Sequence, residues 1–157
     1  MLLDPLTPEA SSPPEQHLDN QLCFAVYSTA HAFTQAYKPH LGPLGLTYPQ
    51  YLVMLLLWER DGRAVNELGA PLHLDSGTLT PLLKRLEKAG LVLRRRCDKD
   101  ERVMRIHLTE KGKALQDKAK DIPRDMLCAM DLTLDALVEL RQTLHDIGGR
   151  LRTQAGT

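Results

Sequence analysis

Cysteine and aromatic residues are scarce in this chain of 157 residues, which contains 3 Cys, 1 Trp, 2 Phe and 4 Tyr. Its cysteines, Cys23, Cys97 and Cys128, are too few and too scattered for a secreted disulfide framework or a zinc finger. No apolar run approaches the roughly 18 residues that span a bilayer, and the N-terminus lacks the basic and apolar regions of a signal peptide. The 6 histidines show no metal-ligand spacing, and no phosphate-binding loop or hydrolase triad is present. We therefore expect a cytoplasmic protein of one domain that holds no metal and no cofactor.

The charges balance, with 20 basic and 20 acidic residues, but they are unevenly distributed. Between Lys84 and Arg105 lie nine basic and four acidic side chains, so this basic segment carries an excess of five positive charges. Attraction to phosphate depends on the field within a Debye length of about 8–10 Å and not on the total charge. The basic segment therefore predicts either a nucleic-acid contact or a solvated charged face, and charge alone does not decide between them.

The N-terminal part of the chain has the pattern of an arm followed by two helices. Residues 1–14 contain four prolines and predict a flexible arm. Apolar residues at helical spacing from Glu15 predict a first helix that ends near Lys38, because Pro39 disfavours helical geometry before it. Thr47 is the predicted N-cap of a second helix, which is apolar nearly all round and should be buried.

The middle of the chain predicts a short helix, a capped helix and a β-hairpin. These elements are a helix at 65–70 that Gly69 and Pro71 break, a helix at about 77–89 that Asp75 caps, and strands at 91–97 and 103–108. The polar stretch 98–102 would form the hairpin tip. Together with the second helix, this order describes a winged helix-turn-helix over residues 47–109, which is a DNA-binding lobe.

The C-terminal part predicts two helices. A long helix follows Thr109, with a kink at Pro123, and the last helix follows the N-cap Thr133. Apolar residues of the last helix alternate three and four apart, as in a helix seam: Leu137, Leu140, Leu144, Ile147 and Leu151. That seam suits a dimer interface or the inside of a monomer. The predicted fold is mainly α, with six helices, a two-stranded wing, and a helical dimerisation region formed by residues 15–46 and 110–154.

Residues of the capped helix and the hairpin are the candidates for DNA contact. Small hydrogen-bonding residues at the start of the capped helix can approach base edges, and the cations one or two turns later suit contacts with phosphates. Arg102 at the hairpin tip suits a minor groove if Asp98 or Asp100 orients its guanidinium. The candidates are Ser76, Thr78, Thr80, Pro81, Lys84, Arg85, Arg94, Arg95, Arg96, Asp100 and Arg102. Winged helices also bind proteins, and the threonines are alternatively ordinary exposed residues.

Cys23 lies early in the first predicted helix, near its positive end, which favours a thiolate. Tyr27 shares its helix face four residues on. A buried and inert cysteine is the alternative, because free cysteine is among the residue types most often buried. Cys97 follows three arginines and is a possible bystander thiol.

Several segments resemble the MarR family of repressors. Leu72–Glu87 resembles the family's recognition-helix segment, 98–102 its wing, and Leu108–Gly112 its exit into the fifth helix. Within the family, Cys23 and the tyrosines make the chain most similar to the organic hydroperoxide resistance regulators, OhrR, over about Leu18–Leu151.

The resemblance implies a homodimeric repressor that binds palindromic double-stranded operator DNA and has organic hydroperoxide as its effector. It implies that Tyr37 and Tyr48 direct their hydroxyl groups at the Cys23 sulfur, while Tyr27 closes the site from the partner subunit. Cys128 matches the second cysteine of the two-cysteine group. Oxidised Cys23 would then form an intersubunit disulfide with Cys128, and the repressor would leave its operator.

Two other functions remain open. One is a MarR-type repressor that a phenolic or other small ligand releases without covalent chemistry. The other is a thiol peroxidase with Cys23 as catalyst and Cys128 as resolving thiol. Neither cysteine lies in a thioredoxin-like βαβ pattern, and a catalyst has no need of a basic hairpin. We therefore expect a regulator and not an enzyme.

Overall fold

The computed structural model describes residues 12–156, so most of the predicted arm over 1–14 lies outside the described residues. Seven α-helices and a three-stranded antiparallel sheet make up this range. The helices are α1 Leu22–Leu41, α2 Tyr48–Glu59, α3 Val65–Leu72, α4 Ser76–Lys88, α5 Glu110–Ala119, α6 Ile122–Met130 and α7 Leu134–Gln154. The strands are β1 Arg63–Ala64, β2 Val92–Cys97 and β3 Asp100–Leu108. None of these helices combines the length and the apolar character needed to cross a bilayer.

Each of the three N-caps predicted from the sequence is confirmed. The Thr47 hydroxyl accepts a hydrogen bond from the Gln50 N–H at 3.4 Å. In the other direction, Gln50 Oε1 accepts a hydrogen bond from the Thr47 N–H at 2.8 Å. Asp75 Oδ1 accepts from the Thr78 N–H at 2.7 Å, and Thr133 caps α7 in the same way. These short-range bonds satisfy N–H groups that have no partner within the helix, which is why they can be predicted locally.

Two of the predicted helix ends are wrong, because α1 and α3 each continue past a proline. The first helix begins at Leu22, after two short 3-10 turns, and runs through Pro39 to Leu41. Proline costs a helix one hydrogen bond, but Leu41 is only 2% exposed and belongs to the core. The burial of Leu41 offsets the hydrogen bond that is lost at Pro39, so the helix continues past the proline.

The third helix continues through Gly69 and Pro71 to Leu72 and ends at His73, which has a left-handed φ of 53°. At Gly69 the backbone of α3 passes close to the backbone of Leu74, which leaves no room for a side chain. A Cβ at this position would lie 2.7 Å from the carbonyl oxygen of Leu74, which is the start of the turn into α4. The glycine thus tightens the helix-turn-helix and does not break the helix.

The core lies between α2, α4 and the sheet. The predicted apolar stripe of α4, Leu79, Leu82, Leu83 and Leu86, is entirely buried. Val53, Met54 and Leu57 of α2 are fully buried against it, as the uniformly apolar sequence of α2 predicted. This core fixes α4 relative to the hairpin that follows it.

The hairpin is present, with three differences from its prediction. β3 begins at Asp100, so the predicted tip 98–102 shrinks to a turn at Asp98 and Lys99. A bulge lies between Arg96 and Cys97. The third strand, β1, was not predicted, because two residues are too few to show a strand period.

The predicted long fifth helix is two helices, because α5 ends at Ala119 and α6 begins at Ile122. Pro123 lies in the first turn of α6, where its missing N–H costs nothing, so it starts a helix and does not kink one. This break raises the predicted six helices to seven among the described residues. The fold class is otherwise confirmed as mainly α, with a winged helix-turn-helix.

Candidate nucleic-acid interface and cysteine site

The start of α4 presents its polar residues to solvent. Ser76 and Thr78 are exposed and Thr80 is half-buried, while Pro81, Lys84 and Arg85 are exposed. Asp75 anchors this turn, and the Thr78 N–H lowers the pKa of its carboxyl. These side chains are therefore accessible at the start of α4, and their contact with a groove of DNA stays a prediction.

The wing presents Arg102, whose side chain is 92% exposed. Asp100 Oδ1 accepts from the Arg102 backbone N–H at 3.0 Å and from its Nε at 3.3 Å. Of the two aspartates proposed to orient Arg102, the structure therefore assigns Asp100. A groove of about 670 Å³, with Ser76 and Arg102 in its lining, separates the start of α4 from the wing.

Two arginines of the basic segment are half-buried and bonded to other parts of the chain. Arg94 Nε donates to Glu87 Oε2 at 2.8 Å, which ties β2 to α4. Arg105 donates to the Gly62 carbonyl at 2.8 Å. Arg95 and Arg96 of β2 are exposed. Arg94 is thus less accessible than the other predicted wing arginines, because it is half-buried and pairs with Glu87.

Cys23 is exposed and is the second residue of α1. Tyr27, one turn on, is 62% exposed, and its ring centroid lies 4.5 Å from that of His31. The His31 ring therefore lies against that of Tyr27. Side chains in a helix lean towards its N-terminus, so Tyr27 is directed to the turn that holds Cys23. Sequence periodicity placed Cys23 and Tyr27 on one face but gave no role to His31.

Tyr37 and Tyr48 form an aromatic cluster with Tyr51. The Tyr37 ring centroid lies 4.7 Å from that of Tyr48 and 5.8 Å from that of Tyr51. Burial, followed by the neighbouring phenols, raises the pKa of Tyr37 to about 12. Burial also raises the pKa of Tyr48 and, together with Tyr48, that of Tyr51. At neutral pH all three are uncharged, so each hydroxyl can donate a hydrogen bond.

The tyrosine cluster is remote from Cys23 of the same chain. Cys23 and Tyr37 are 14 positions apart on the continuous helix α1, which at 1.5 Å per residue separates them by about 21 Å along the axis. One chain therefore cannot place the Tyr37 hydroxyl on its own Cys23. Cys128, also exposed and free, belongs to α6. That helix borders the middle of α1, in a crevice of about 200 Å³ lined by Phe33 and Met126 among others.

The fold and the α4–wing surface define a winged helix-turn-helix transcriptional regulator. A family model described as the transcriptional regulator SarA/Rot matches residues 35–119. The chain is 50% identical over 142 residues to the HTH-type transcriptional regulator TtmR of Methylorubrum extorquens, covering 90% of this chain and 73% of that one. It is 47% identical over 130 residues to the organic hydroperoxide resistance transcriptional regulator of Bacillus subtilis, covering 83% of this chain and 88% of that one.

Solved structures give the same result. Reduced AbfR of Staphylococcus epidermidis bound to DNA matches with a TM-score of 0.74 and 36% identity, over 88% of this chain and 94% of that one. The disulfide form of AbfR matches with a TM-score of 0.60 and 40% identity, over 83% of this chain and 91% of that one. The chain therefore belongs to the MarR/OhrR type of transcriptional regulators, a family of DNA-binding proteins and not of enzymes.

Proposed function

We propose that this protein is a cytoplasmic, homodimeric repressor that leaves its palindromic operator when an organic hydroperoxide oxidises Cys23. The observation that carries the proposal is the position of Cys23, exposed at the start of α1 and about 21 Å along that helix from the uncharged phenol of Tyr37. Only a second copy of the chain can bring the two together. The peroxide-sensing site would then form only in the dimer.

The second copy would cover α1 and α7. Helix α7 has 21 residues and buries none of them, and Leu134, Leu140 and Leu151 are 65%, 50% and 60% exposed. On α1, Leu22 is 64% exposed. Apolar surface of this extent marks an interface. Residues 15–46 and 110–154 would form the dimerisation region, and 47–109 the DNA-binding lobe.

The chemistry at Cys23 would proceed in two steps. The thiolate attacks the terminal oxygen of the hydroperoxide, the O–O bond breaks, and Cys23 becomes a sulfenic acid while the alkoxide leaves and takes a proton from water to become the alcohol. The Cys128 thiol of the partner subunit then attacks that sulfur, and water leaves as the disulfide forms. Tyr37 and Tyr48 of the partner subunit would donate hydrogen bonds to the thiolate, because their own chain cannot bring Tyr37 to Cys23. Tyr27, which the resemblance assigned to the partner subunit, lies one turn from Cys23 on the same α1 and would shield the thiolate from that position. A peroxide with an apolar tail suits the apolar side chains next to Cys23, Leu22 and Phe24.

The disulfide would move the DNA-binding lobes. Its Cα atoms must lie within about 7 Å of each other, so α1 and α6 shift if the two cysteines start further apart. Recognition helices of a dimer must match half-sites about 34 Å apart, and a small change in their spacing weakens binding. That AbfR is solved both as the reduced protein on DNA and in a disulfide form supports a redox switch of this kind.

Release from DNA tests the proposal. A duplex selected by the wild-type protein from a random-sequence pool serves as probe, and fluorescence anisotropy reports binding under anaerobic conditions. We expect Cys23→Ser to bind the duplex as the wild type does and to remain bound when cumene hydroperoxide is added. Cys97→Ser is the matched control and should be released normally. If Cys23→Ser is also released, Cys23 is not the sensor.

The groove between α3, α4 and the wing favours a second candidate function. It is lined mostly by apolar side chains, among them Val65, Leu79 and Met104. Its polar lining residues are Asn66, Ser76 and Arg102. An apolar ligand with an acidic or phenolic group would match this lining and would hinder DNA contact. Release of Cys23→Ser by salicylate, without any peroxide, would favour this candidate over the redox mechanism.

A further inference from the structure

Arg105 of β3 belongs to the basic segment, yet its guanidinium faces the base of the helix-turn-helix. Its Nη1 donates to the Gly62 carbonyl at 2.8 Å and lies 3.6 Å from Glu67 Oε2. Gly62 precedes β1, and Glu67 is in the first turn of α3. One side chain of the wing therefore contacts both segments that lead into the helix-turn-helix.

The carboxylate that receives Arg105 is itself fixed. Glu67 Oε2 accepts from the Ala64 N–H at 2.7 Å, and its other oxygen accepts from Arg60 at 2.9 Å. These bonds, that of Ala64 first, lower the pKa of Glu67. Glu67 is therefore a carboxylate anchored to the start of α3, and a cation that pairs with it is tied to that helix.

The ion pair between Arg105 and Glu67 also offsets a repulsion between the two strands of the wing. Arg95 of β2 lies directly opposite Arg105 in the ladder. Like charges in that position destabilise a sheet unless one of them is neutralised. Glu67 neutralises Arg105, while Arg95 remains exposed to solvent.

Arg105 also reaches the end of β2. The N–H groups of Lys99 and Asp100, and then the Arg105 side chain, donate to the Cys97 sulfur and lower the pKa of that thiol. Three acceptors on different segments thus surround one guanidinium. Its planar fork suits this arrangement, whereas a lysine ammonium on a flexible stem would not serve the same acceptors together.

We propose that Arg105 is a positioning residue, which holds the wing at a fixed orientation to α3 and α4 and does not itself bind DNA phosphate. The proposal rests on the DNA-binding function proposed above. It assigns one cation of the basic segment to the internal structure of the DNA-binding lobe. The exposed cations of that segment, such as Lys84 and Arg95, are left as the candidates for phosphate contact.

The salt dependence of DNA binding separates the two roles. Each phosphate contact adds about 0.9 to the slope of log K against log salt, so losing one contact per subunit of a dimer lowers the slope by about 1.8. We expect Arg105→Met to weaken binding of the selected duplex by about five- to thirtyfold at every salt concentration, with an unchanged slope. Arg95→Met removes the same charge from the opposite strand and is the matched control. A slope lowered by about 1.8 in Arg105→Met, or an unchanged affinity, overturns the proposal.

A second measurement needs no DNA. Hydrogen exchange of the free protein should be faster for the amides of 92–108 in Arg105→Met than in Arg95→Met, with equal exchange in α7 as evidence that the fold is intact. Glu67→Gln should have the same effect, and the double variant should be no worse than Arg105→Met alone, because both residues act in one network. Unchanged exchange in the wing refutes the role of Arg105. Failure of the wild type to bind any duplex would count against the proposed function only.

Discussion

The rings of Tyr37 and Tyr48 lie with their centroids 4.7 Å apart, although one belongs to the end of α1 and the other to the start of α2. Both are half-buried, and both have a raised pKa because burial disfavours the phenolate. The pair is therefore a fixed source of two uncharged hydroxyl donors. In a dimer of the proposed kind, these donors would meet the thiolate of the other subunit.

Removing either hydroxyl should slow the reaction of Cys23 with peroxide. A hydrogen bond to a charged group contributes about 1.5–3 kcal/mol, so we expect Tyr37→Phe and Tyr48→Phe each to lower the rate constant about tenfold or more at neutral pH. Stopped-flow measurement of sulfenic acid formation gives that rate constant. Tyr51→Phe keeps the same cluster of rings and should react at the wild-type rate. An equal decrease in all three variants would show that loss of packing, and not of the hydroxyl donor, is responsible.

The raised pKa of Tyr37 predicts the alkaline behaviour of the protein. Its pKa is 10.0 in the unfolded chain and about 12 in the folded one, so the unfolded state loses its proton first as the pH rises. The contribution of Tyr37 to stability should be complete below pH 10 and lost between pH 10 and about 12. Thermal melts over this range should show a smaller alkaline decrease for Tyr37→Phe than for the wild type. Parallel melting curves would contradict the prediction.

The second cysteine is tested by electrophoresis. After cumene hydroperoxide treatment, the wild type should run as a covalent dimer without reductant, and Cys128→Ser should run as a monomer while its Cys23 is still oxidised. Cys97→Ser provides the control, because it removes a thiol from the wing and should leave the dimer band intact. A dimer band in Cys128→Ser would mean that another cysteine resolves the sulfenic acid.

Features fixed by neighbours in the sequence could be predicted. The caps at Thr47, Asp75 and Thr133 and the buried stripe of α4 depend on residues within one or two turns. The orientation of Arg102 by Asp100, two residues away, is of the same kind.

Features fixed by packing between distant segments could not be predicted. The continuation of α1 past Pro39 depends on the burial of Leu41, and the inward turn of Arg105 depends on a carbonyl 43 residues away. The sequence also grouped Arg94 with the candidates for DNA contact, because its partner Glu87 lies on a different element and could not be inferred. The cysteine site stays a prediction, because the proposed arrangement is shared between two copies of the chain.

The hydrogen bond that Asp75 accepts at the start of α4 should contribute more to the stability of the protein at pH 7 than the charge of its carboxylate. Asp75→Ala leaves the Thr78 N–H without its acceptor and should lower the melting temperature by about 2–4 °C, with weaker DNA binding because α4 frays at its start. Asp75→Asn keeps the accepting oxygen and should be close to the wild type at pH 7. Because the pKa of Asp75 is lowered from 3.8, its charge-dependent stabilisation should be present above that pH and lost as the pH falls through the folded value.

Gly112 joins the wing to the helical region through a contact that admits no side chain. A Cβ there would lie 2.1 Å from the Leu91 carbonyl oxygen, and the Gly112 carbonyl accepts from Trp58 Nε1 at 2.9 Å. Because the clash is with backbone, Gly112→Ala should lower the free energy of unfolding by about 1–3 kcal/mol. Gly42→Ala meets no atom within 4 Å at a φ of −53° and should be neutral or stabilising by about 0.4–1 kcal/mol. Urea unfolding of the two variants compares them directly, and equal effects would show that the approach of α5 to the wing is looser than the structure indicates.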